Sequence, residues 1–450
     1  MGARLTDSRL YAHLWGTDEL RALFDEDARL QRWLDILAAL ARAQAKLGLI
    51  PTGSAEEITR SATVERLDLD FVAEETRRTS HSTLGLIHGL QRVLPSPARD
   101  HVYVGTTVQD VTDTWTALTM GAVGQVVWRD LRAVEDVLLD LAERHRDTIM
   151  VGRTHGQPGA PITFGFKAAS WADEVRRHLA RLAEARPRWL VGQLGGAVGV
   201  LGFFGADGMA LRAAFCAELG LGEPAISWLA ARDRVAEFGH VLAMVCSTLA
   251  RIGTEVYELQ RPEIGELREP TTASAVGSIT MPHKRNPERS EHLDTLARLV
   301  RANASVLLEG MVGAHERDGR AWKAEWVAFP EVCLLTGAAL QTAAGLLSGL
   351  EVDADAMAAR AASEESRAGS ERVLAVLTER LGRNEAQALV HQALQPGADY
   401  PPALAEAGLL DRAELDALLA APPLEGARAM VDEVVARARA ARQDESDQWT

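Results

Sequence analysis

The run Val235-Ala236-Glu237-Phe238-Gly239-His240-Val241-Leu242-Ala243-Met244-Val245-Cys246-Ser247-Thr248-Leu249-Ala250-Arg251-Ile252 decides the fold class. Val235, Phe238, Val241, Met244, Leu249 and Ile252 recur at helical spacing, within a pattern reaching from about Arg232 to Gln260. At ~1.5 Å rise per residue, a helix of some thirty residues is roughly 45 Å long and outspans a small compact domain. Rods of that length are buried most readily against one another, so an all-α fold built on a bundle of long helices is expected.

The same period extends outward in both directions. Leu30, Trp33, Leu34, Leu37 and Leu40 step by three and four, and the pattern stops at Leu47-Gly48 with Pro51 beyond, a regular C-terminal stop. Val127, Leu131, Val134, Leu138 and Leu141 repeat it, as do Leu293, Leu296, Leu299 and Val300 between Pro287 and Gly313. Period-two strand patterns are scarce, and short ones such as Val102-Tyr103-Val104 are ambiguous. Pro95 and Pro97 punctuate the chain before Tyr103, and a composition shift near Gly349-Leu350-Glu351 precedes an Ala/Glu/Arg-rich tail. Three helical segments are therefore expected: an N-terminal domain at 1–104, a central long-helix domain at 105–352 and a C-terminal domain at 353–450. In the tail, helices are expected over Ala354 to Ala362 and Glu385 to Leu394, with breaks at Pro396-Gly397 and Pro401-Pro402 and a frayed, charged run after Arg442.

A net charge of −15 over 450 residues disfavours nucleic acid as a partner, which needs a basic footprint, and any cations meeting an anionic substrate must be local. No apolar run approaches the ~18 residues of a membrane span, so no membrane role is expected. Met1 to Ser8 lacks the apolar segment of a secretory signal, which predicts a cytoplasmic protein. Cys216, Cys246 and Cys333 lie far apart in apolar surroundings and read as buried reduced thiols. Without an HExxH motif or a His/Asp cluster, neither a metal nor another cofactor is expected.

Three polar clusters interrupt the apolar helices: Gly105 to Thr114, Gly152 to Pro158, and Gly277-Ser278-Ile279-Thr280-Met281-Pro282-His283-Lys284-Arg285-Asn286-Pro287. Each stands at the mouth of a long helix, where orphan backbone donors and the helix dipole favour a carboxylate. Thr106 and Thr112 read as caps, while Thr107 and Gln109 read equally as cap residues or ligand groups. His155, between a hydroxyl and turn-forming residues, suits proton transfer near neutral pH. His81 reads as structural from its surroundings alone, and His101, His178, His240 and His391 as surface or core residues. Gly192 to Gly199 resembles a phosphate loop superficially, but without a preceding strand or a Lys-Ser/Thr pair it reads as a tight crossing between helices. Lys284 and Asn286 could complement a carboxylate or an enediolate-like dianion. Hydroxyls, a His and a Lys without a nucleophile-His-Asp arrangement favour proton abstraction beside a carboxylate over acyl transfer.

At these residues the chain resembles the fumarase/aspartase superfamily, whose hallmark loop reads G-S-S-x-M-P-x-K-x-N-P. All but the second serine match, and that position is Ile279. The segments Gly152 to Pro158 followed by Pro161-Ile162-Thr163-Phe164-Gly165, Gly105 to Thr114, and Trp33 to Pro51 join the match, so it covers nearly the whole chain. The resemblance implies an all-helical homotetramer with active sites built from three subunits, acting on a small di- or tricarboxylate around a fumarate-like product. Ser278 then resembles the catalytic base. His155 resembles the acid or its partner, with His81 as the rival histidine. Thr107, Thr154, Lys284 and Asn286 resemble the carboxylate clamp, with Gln109, Arg153 and Arg317 completing the candidate binding set.

Within the superfamily the chain is similar to adenylosuccinate lyases and to 3-carboxy-cis,cis-muconate cycloisomerases. The lyases' Arg-Tyr pair is displaced here, with Arg9 and Tyr11 separated by Leu10. Their Ser-Ser-x-Glu-Arg run after His315-Glu316-Arg317-Asp318 is replaced by Trp322-Lys323-Ala324-Glu325-Trp326, so groups for a nucleotide phosphate are missing. Trp228 before Arg232-Asp233 and the Trp322 to Trp326 run look cycloisomerase-like, whereas His81 resembles the lyases' second histidine. Val108 and Tyr103 replace a Ser and a His common to both branches. This mixture points to a lyase of the nitrosuccinate-lyase kind, cleaving a C–N bond of a small substituted succinate to give fumarate. The alternative is a cycloisomerase adding a carboxylate to a conjugated diene. A catalytically dead scaffold is disfavoured by intact Ser278, His155 and Lys284.

Overall fold

The computed structural model of the chain describes residues 4–271, 278–281, 283–363, 370–393, 410–420 and 424–449. It is all-α apart from short strands, and five long helices form its centre: α7 (Val108–Arg144), α8 (Phe164–Trp189), α10 (Asp233–Leu259), α11 (Glu288–Glu309) and α12 (Gly319–Leu347). The long apolar pattern from about Arg232 to Gln260 is α10, within two residues of the expected bounds. Its Val235, Phe238, Leu242, Val245, Leu249 and Ile252 are each at most 1% exposed, so one continuous stripe lies in the core.

Smaller helices precede the bundle: α1 (Ala12–Trp15), α2 (Asp18–Phe24), α3 (Glu26–Lys46), α4 (Thr52–Ser61), α5 (Leu69–Thr79) and α6 (Leu84–Val93). Helix α3 ends as expected, with Gly48 at φ +73 absorbing the left-handed turn. It packs on α7 and on α9 (Gly208–Glu218). Beyond the bundle lie α13 (Ala354–Ser363), α14 (Ser370–Leu381), α15 (Arg383–Ala393), α16 (Arg412–Ala420) and α17 (Glu425–Asp444). Val373, Leu377, Ala386, Val390 and Leu415 make a small second core apart from the main one.

Three expectations are corrected. The Gly152 to Pro158 cluster is not a simple helix mouth but the tip of an antiparallel hairpin, β1 (Ile149–Thr154) and β2 (Gln157–Thr163), and the cap of α8 is Thr163, whose hydroxyl accepts from Phe166 N–H at 3.0 Å. A second two-stranded pairing joins β3 (Leu267–Arg268) to β4 (Glu351–Val352). Helices α10 and α12 do reach the length and apolarity of a membrane span, at mean hydropathy 1.3; 72% of each such window is buried inside the bundle, which accounts for the apolarity. The run after Arg442 is anchored rather than frayed. Trp449 is 4% exposed; its indole N–H donates to Leu182 O at 3.1 Å, and its ring lies so close over Gly124 that a Cβ there would sit 2.0 Å from it. Arg132 and Arg176 hold Asp447 and Glu445 beside it.

The helix directions position the chemistry. Gln109 and Asp113 on α7 meet Leu229 and Arg232 at the start of α10, and Thr114 meets Gln193 just after α8. At the opposite end β1 meets the segment after α10 through Arg153 and Glu266. Helix α7 has 37 residues, so these two ends stand ~55 Å apart at ~1.5 Å per residue.

Candidate active site

At one end, Thr107 precedes α7 in extended conformation, and Asp110 in the first turn gathers the surrounding loops. Its carboxylate accepts from Thr106 Oγ1 and Thr107 N–H at 3.0 Å each, from Gly195 N–H at 2.8 Å, from Gly196 N–H at 3.0 Å and from Gln193 Nε2 at 3.2 Å. The glycine loop that superficially suggested a phosphate site therefore cradles an anion of the protein itself. Burial pushes the Asp110 pKa up, and these donors pull against it. One turn on, Asp113 receives both Nη atoms of Arg232, which also donates to both oxygens of Glu325. Burial works against the Arg232 charge, but the two carboxylates outweigh it and raise its pKa. Gln109 belongs to this network: it is 1% exposed, and its amide nitrogen donates to Asp113 at 2.9 Å and to Leu229 O at 2.8 Å.

The solvent side of this cluster carries the other groups. Arg317, in the turn before α12, donates to Thr107 Oγ1 at 2.5 Å. Asp318 caps α12 by accepting from Arg320 N–H at 3.0 Å. Tyr103, at φ +65, lies against Thr107 and Arg317, and burial together with the Asp110 carboxylate raises its pKa. His81 is exposed on the turn between α5 and α6, with Nδ1 3.5 Å from Thr83 N. The neighbouring Ser82 shares a cavity wall with Thr112, Trp115 and Glu325, which brings this turn to α7 and α12.

The remaining candidates stand at the other end. His155 and Gly156 have φ of +54 and +73 between paired Thr154 and Gln157, a two-residue hairpin turn with both central residues left-handed. That turn type favours Asn-Gly or Asp-Gly, and histidine tolerates the left-handed region better than most residues. The consequence is an imidazole presented at an exposed tip beside Thr154. Arg153, lower on the strand, is taken up by Glu266 through contacts of 2.8 and 2.7 Å, and Glu266 is fully buried.

In the hallmark loop, Ser278 Oγ accepts from Met281 N–H at 3.0 Å, and Lys284 is exposed. Asn286 Nδ2 donates to Glu288 at 3.2 Å. Ile279 is 93% exposed. Gly277 and Pro282 lie outside the described residues. The loop is fixed at its base by Glu269, which accepts from Arg289 N–H, Ser290 N–H and Ser290 Oγ at 3.1, 2.8 and 2.6 Å, a carboxylate seated on the first turn of α11.

One chain thus groups His81, Thr107, Gln109 and Arg317 at one end of the bundle, and Arg153, Thr154, His155, Ser278, Lys284 and Asn286 at the other. The two groups of candidates stand ~55 Å apart along α7. The buried anchors Asp110, Asp113, Arg232 and Glu325 were missed as site-organising residues. A paired Asp at i and i+3 in a polar helix start was the available signal, and its buried cation sits 119 residues away in sequence.

Comparison with known proteins bears on this arrangement. The family profile described as "Lyase" matches residues 15–302. The N-acetyl-S-(2-succino)cysteine lyase of Dickeya dadantii (strain 3937) is 40% identical over 392 residues, covering 87% of this chain and 86% of that one. The nitrosuccinate lyase of Streptomyces davaonensis is 37% identical over 418 residues, covering 90% and 87%. The crystal structure of the 3-carboxy-cis,cis-muconate lactonizing enzyme from Pseudomonas putida superposes with a TM-score of 0.85 at 34% identity, covering 96% of this chain and 99% of that one. With a family match over residues 15–302, identity of 34 to 40% over most of both chains and the same fold, the chain is a lyase belonging to the fumarase/aspartase superfamily.

Proposed function

We propose that the protein eliminates a heteroatom leaving group from a small substituted succinate to release fumarate. The observation carrying this reading is the loop that presents Ser278, Lys284 and Asn286 together, at the same end as the His155 hairpin. Ser278 Oγ removes the proton beside one carboxylate. Lys284 and Asn286 hold the resulting dianion, and the electron pair then expels the substituent as the carbon–carbon double bond forms. His155 or His81 returns a proton to the leaving atom. A serine hydroxyl is a weak base, so closing the loop must exclude water and bring donors to its oxygen.

The same proposal includes assembly. The Thr107–Arg317 pair serves a substrate only when another copy brings its own Ser278 end to it, so a homotetramer with shared sites is inferred. Exposed Met244 and Tyr257 on α10 and Leu299 and Val306 on α11 supply an apolar face for such contacts. A division into segments 1–104, 105–352 and 353–450 is part of this reading.

Carbon–nitrogen cleavage is supported by the sequence pattern and by the likeness to the nitrosuccinate lyase. The likeness to the N-acetyl-S-(2-succino)cysteine lyase supports carbon–sulfur cleavage as the other form of the same elimination. Cycloisomerisation is the second reading, supported by the match to the lactonizing enzyme and by Trp228 and Trp322. Incubation with nitrosuccinate, N-acetyl-S-(2-succino)cysteine, aspartate, argininosuccinate, adenylosuccinate and 3-carboxymuconate separates them. Fumarate absorbance from a succinate supports elimination, and lactone formation without fumarate overturns it.

A further inference from the structure

We propose that the cavity beside the Thr107–Arg317 cluster receives the leaving group, and that it selects an acylated, oxygen-bearing substituent over a small one; this rests on the elimination reading above. The cavity, of about 260 Å³, is walled by Arg29, Trp33, Thr112, Trp115, Trp322 and Trp326 among others. A single water occupies about 30 Å³ of liquid, so a nitro or amino group would fill little of this space.

Its chemistry is uneven in an informative way. Four of the lining residues carry buried polar atoms, Arg29 Nε, Trp33 Nε1, Trp115 Nε1 and Thr112 Oγ1, that have no hydrogen-bond partner among the described residues. Trp115 is 8% exposed and Thr112 4%. Buried donors left unpaired are costly, and four of them around one cavity point to a ligand that supplies acceptors. Three of the four are donors only, so the ligand presents carbonyl or carboxylate oxygens rather than amines. The rest of the wall carries the Glu325 carboxylate, which Arg232 already engages, three hydroxyls, and an aromatic surface on which Trp322 and Trp326 stand edge to face at 4.9 Å and Trp115 packs on Phe329. An apolar arm ending in an amide or carboxylate fits both halves.

The cavity and the site share elements. Thr112 lies one turn beyond Val108 on α7, Ser82 adjoins His81, and α12, which carries the two tryptophans, starts two residues after Arg317. Where the resemblance led one to expect phosphate-binding Ser and Arg, Trp322 and Trp326 replace them. The pocket keeps donors, but for an uncharged or singly charged oxygen group.

The test uses the assembled enzyme and two thioether substrates, methylthiosuccinate and N-acetyl-S-(2-succino)cysteine, with fumarate release as readout. The wild type is expected to favour the acylated substrate at least about tenfold in kcat/KM. Thr112→Val and Trp322→Ala are each expected to raise its KM about five- to tenfold, leaving kcat and the methylthio substrate nearly unchanged. Calorimetric titration with N-acetyl-S-methylcysteine, which carries no succinate, reads the pocket alone, with binding in the wild type and loss in Trp322→Ala. If no succinate yields fumarate but this binding and its loss are observed, the elimination reading fails and the pocket assignment stands. If fumarate forms from both thioethers alike, and the variants change neither ratio nor binding, the pocket assignment is overturned.

Discussion

Arg317 Nη1 donates to the Thr107 hydroxyl at 2.5 Å, closing the turn before α12 onto the N-terminus of α7. An exposed arginine is thereby brought to a buried helix end, a pairing that suits a carboxylate.

Arg317→Ala is accordingly expected to raise KM for the succinate substrate about 10- to 100-fold, the range of one charge-assisted hydrogen bond. Because Arg317 is exposed, the unfolding midpoint should barely move. Steady-state kinetics beside thermal denaturation check this; an unchanged KM would remove Arg317 from the binding set.

Asp110 is different in kind, since it binds loops rather than ligand. In Asp110→Asn one acceptor oxygen becomes a donor facing the N–H groups of Gly195 or Gly196. The expected loss is about 2 to 4 kcal/mol of stability, from an interrupted buried network and a weakened helix start. Urea denaturation at neutral pH measures it.

His178 gives a pH signature. It is 4% exposed, its Nε2 lies 2.8 Å from Thr248 Oγ1, and burial, with Arg181 beside it, pushes its pKa down to about 4. The unfolded chain binds this proton near the ordinary value of about 6.5, while the folded protein resists it until pH falls to about 4. Its contribution is therefore fully present above pH ~6.5 and declines as pH falls toward ~4, by up to about 3 kcal/mol. Stability measured across that window should flatten in His178→Gln relative to the wild type.

What could be read from the sequence follows the range of the interactions. Helix α10 is visible because its period is local, and the hallmark loop because its functional groups are contiguous. The hairpin was missed because its strands, Ile149–Thr154 and Gln157–Thr163, are short and rich in Gly and Pro; the His155-Gly156 turn was its one clear mark. The tail was misread because charge after Arg442 suggests fraying, whereas the burial of Trp449 depends on Gly124 and Leu182, far away in sequence. The positions of the candidate residues at opposite ends follow from the length and direction of α7, and no spacing of residues announces that.

That separation makes its own prediction. Ser278→Ala and Thr107→Val assemblies should each be inactive. Mixed during refolding, they should regain up to about a quarter of wild-type activity, since some tetrameric sites then draw both intact ends from different chains. Mixtures that stay as inactive as their parents would argue against sites shared between copies.

Ser278-dependent elimination is measured most directly by the absorbance of released fumarate. The wild type should generate fumarate from at least one substituted succinate, while Ser278→Ala, with its oligomeric state unchanged by light scattering, should lose at least about 1000-fold in kcat. A Ser278→Ala enzyme that releases fumarate at the wild-type rate would contradict the account.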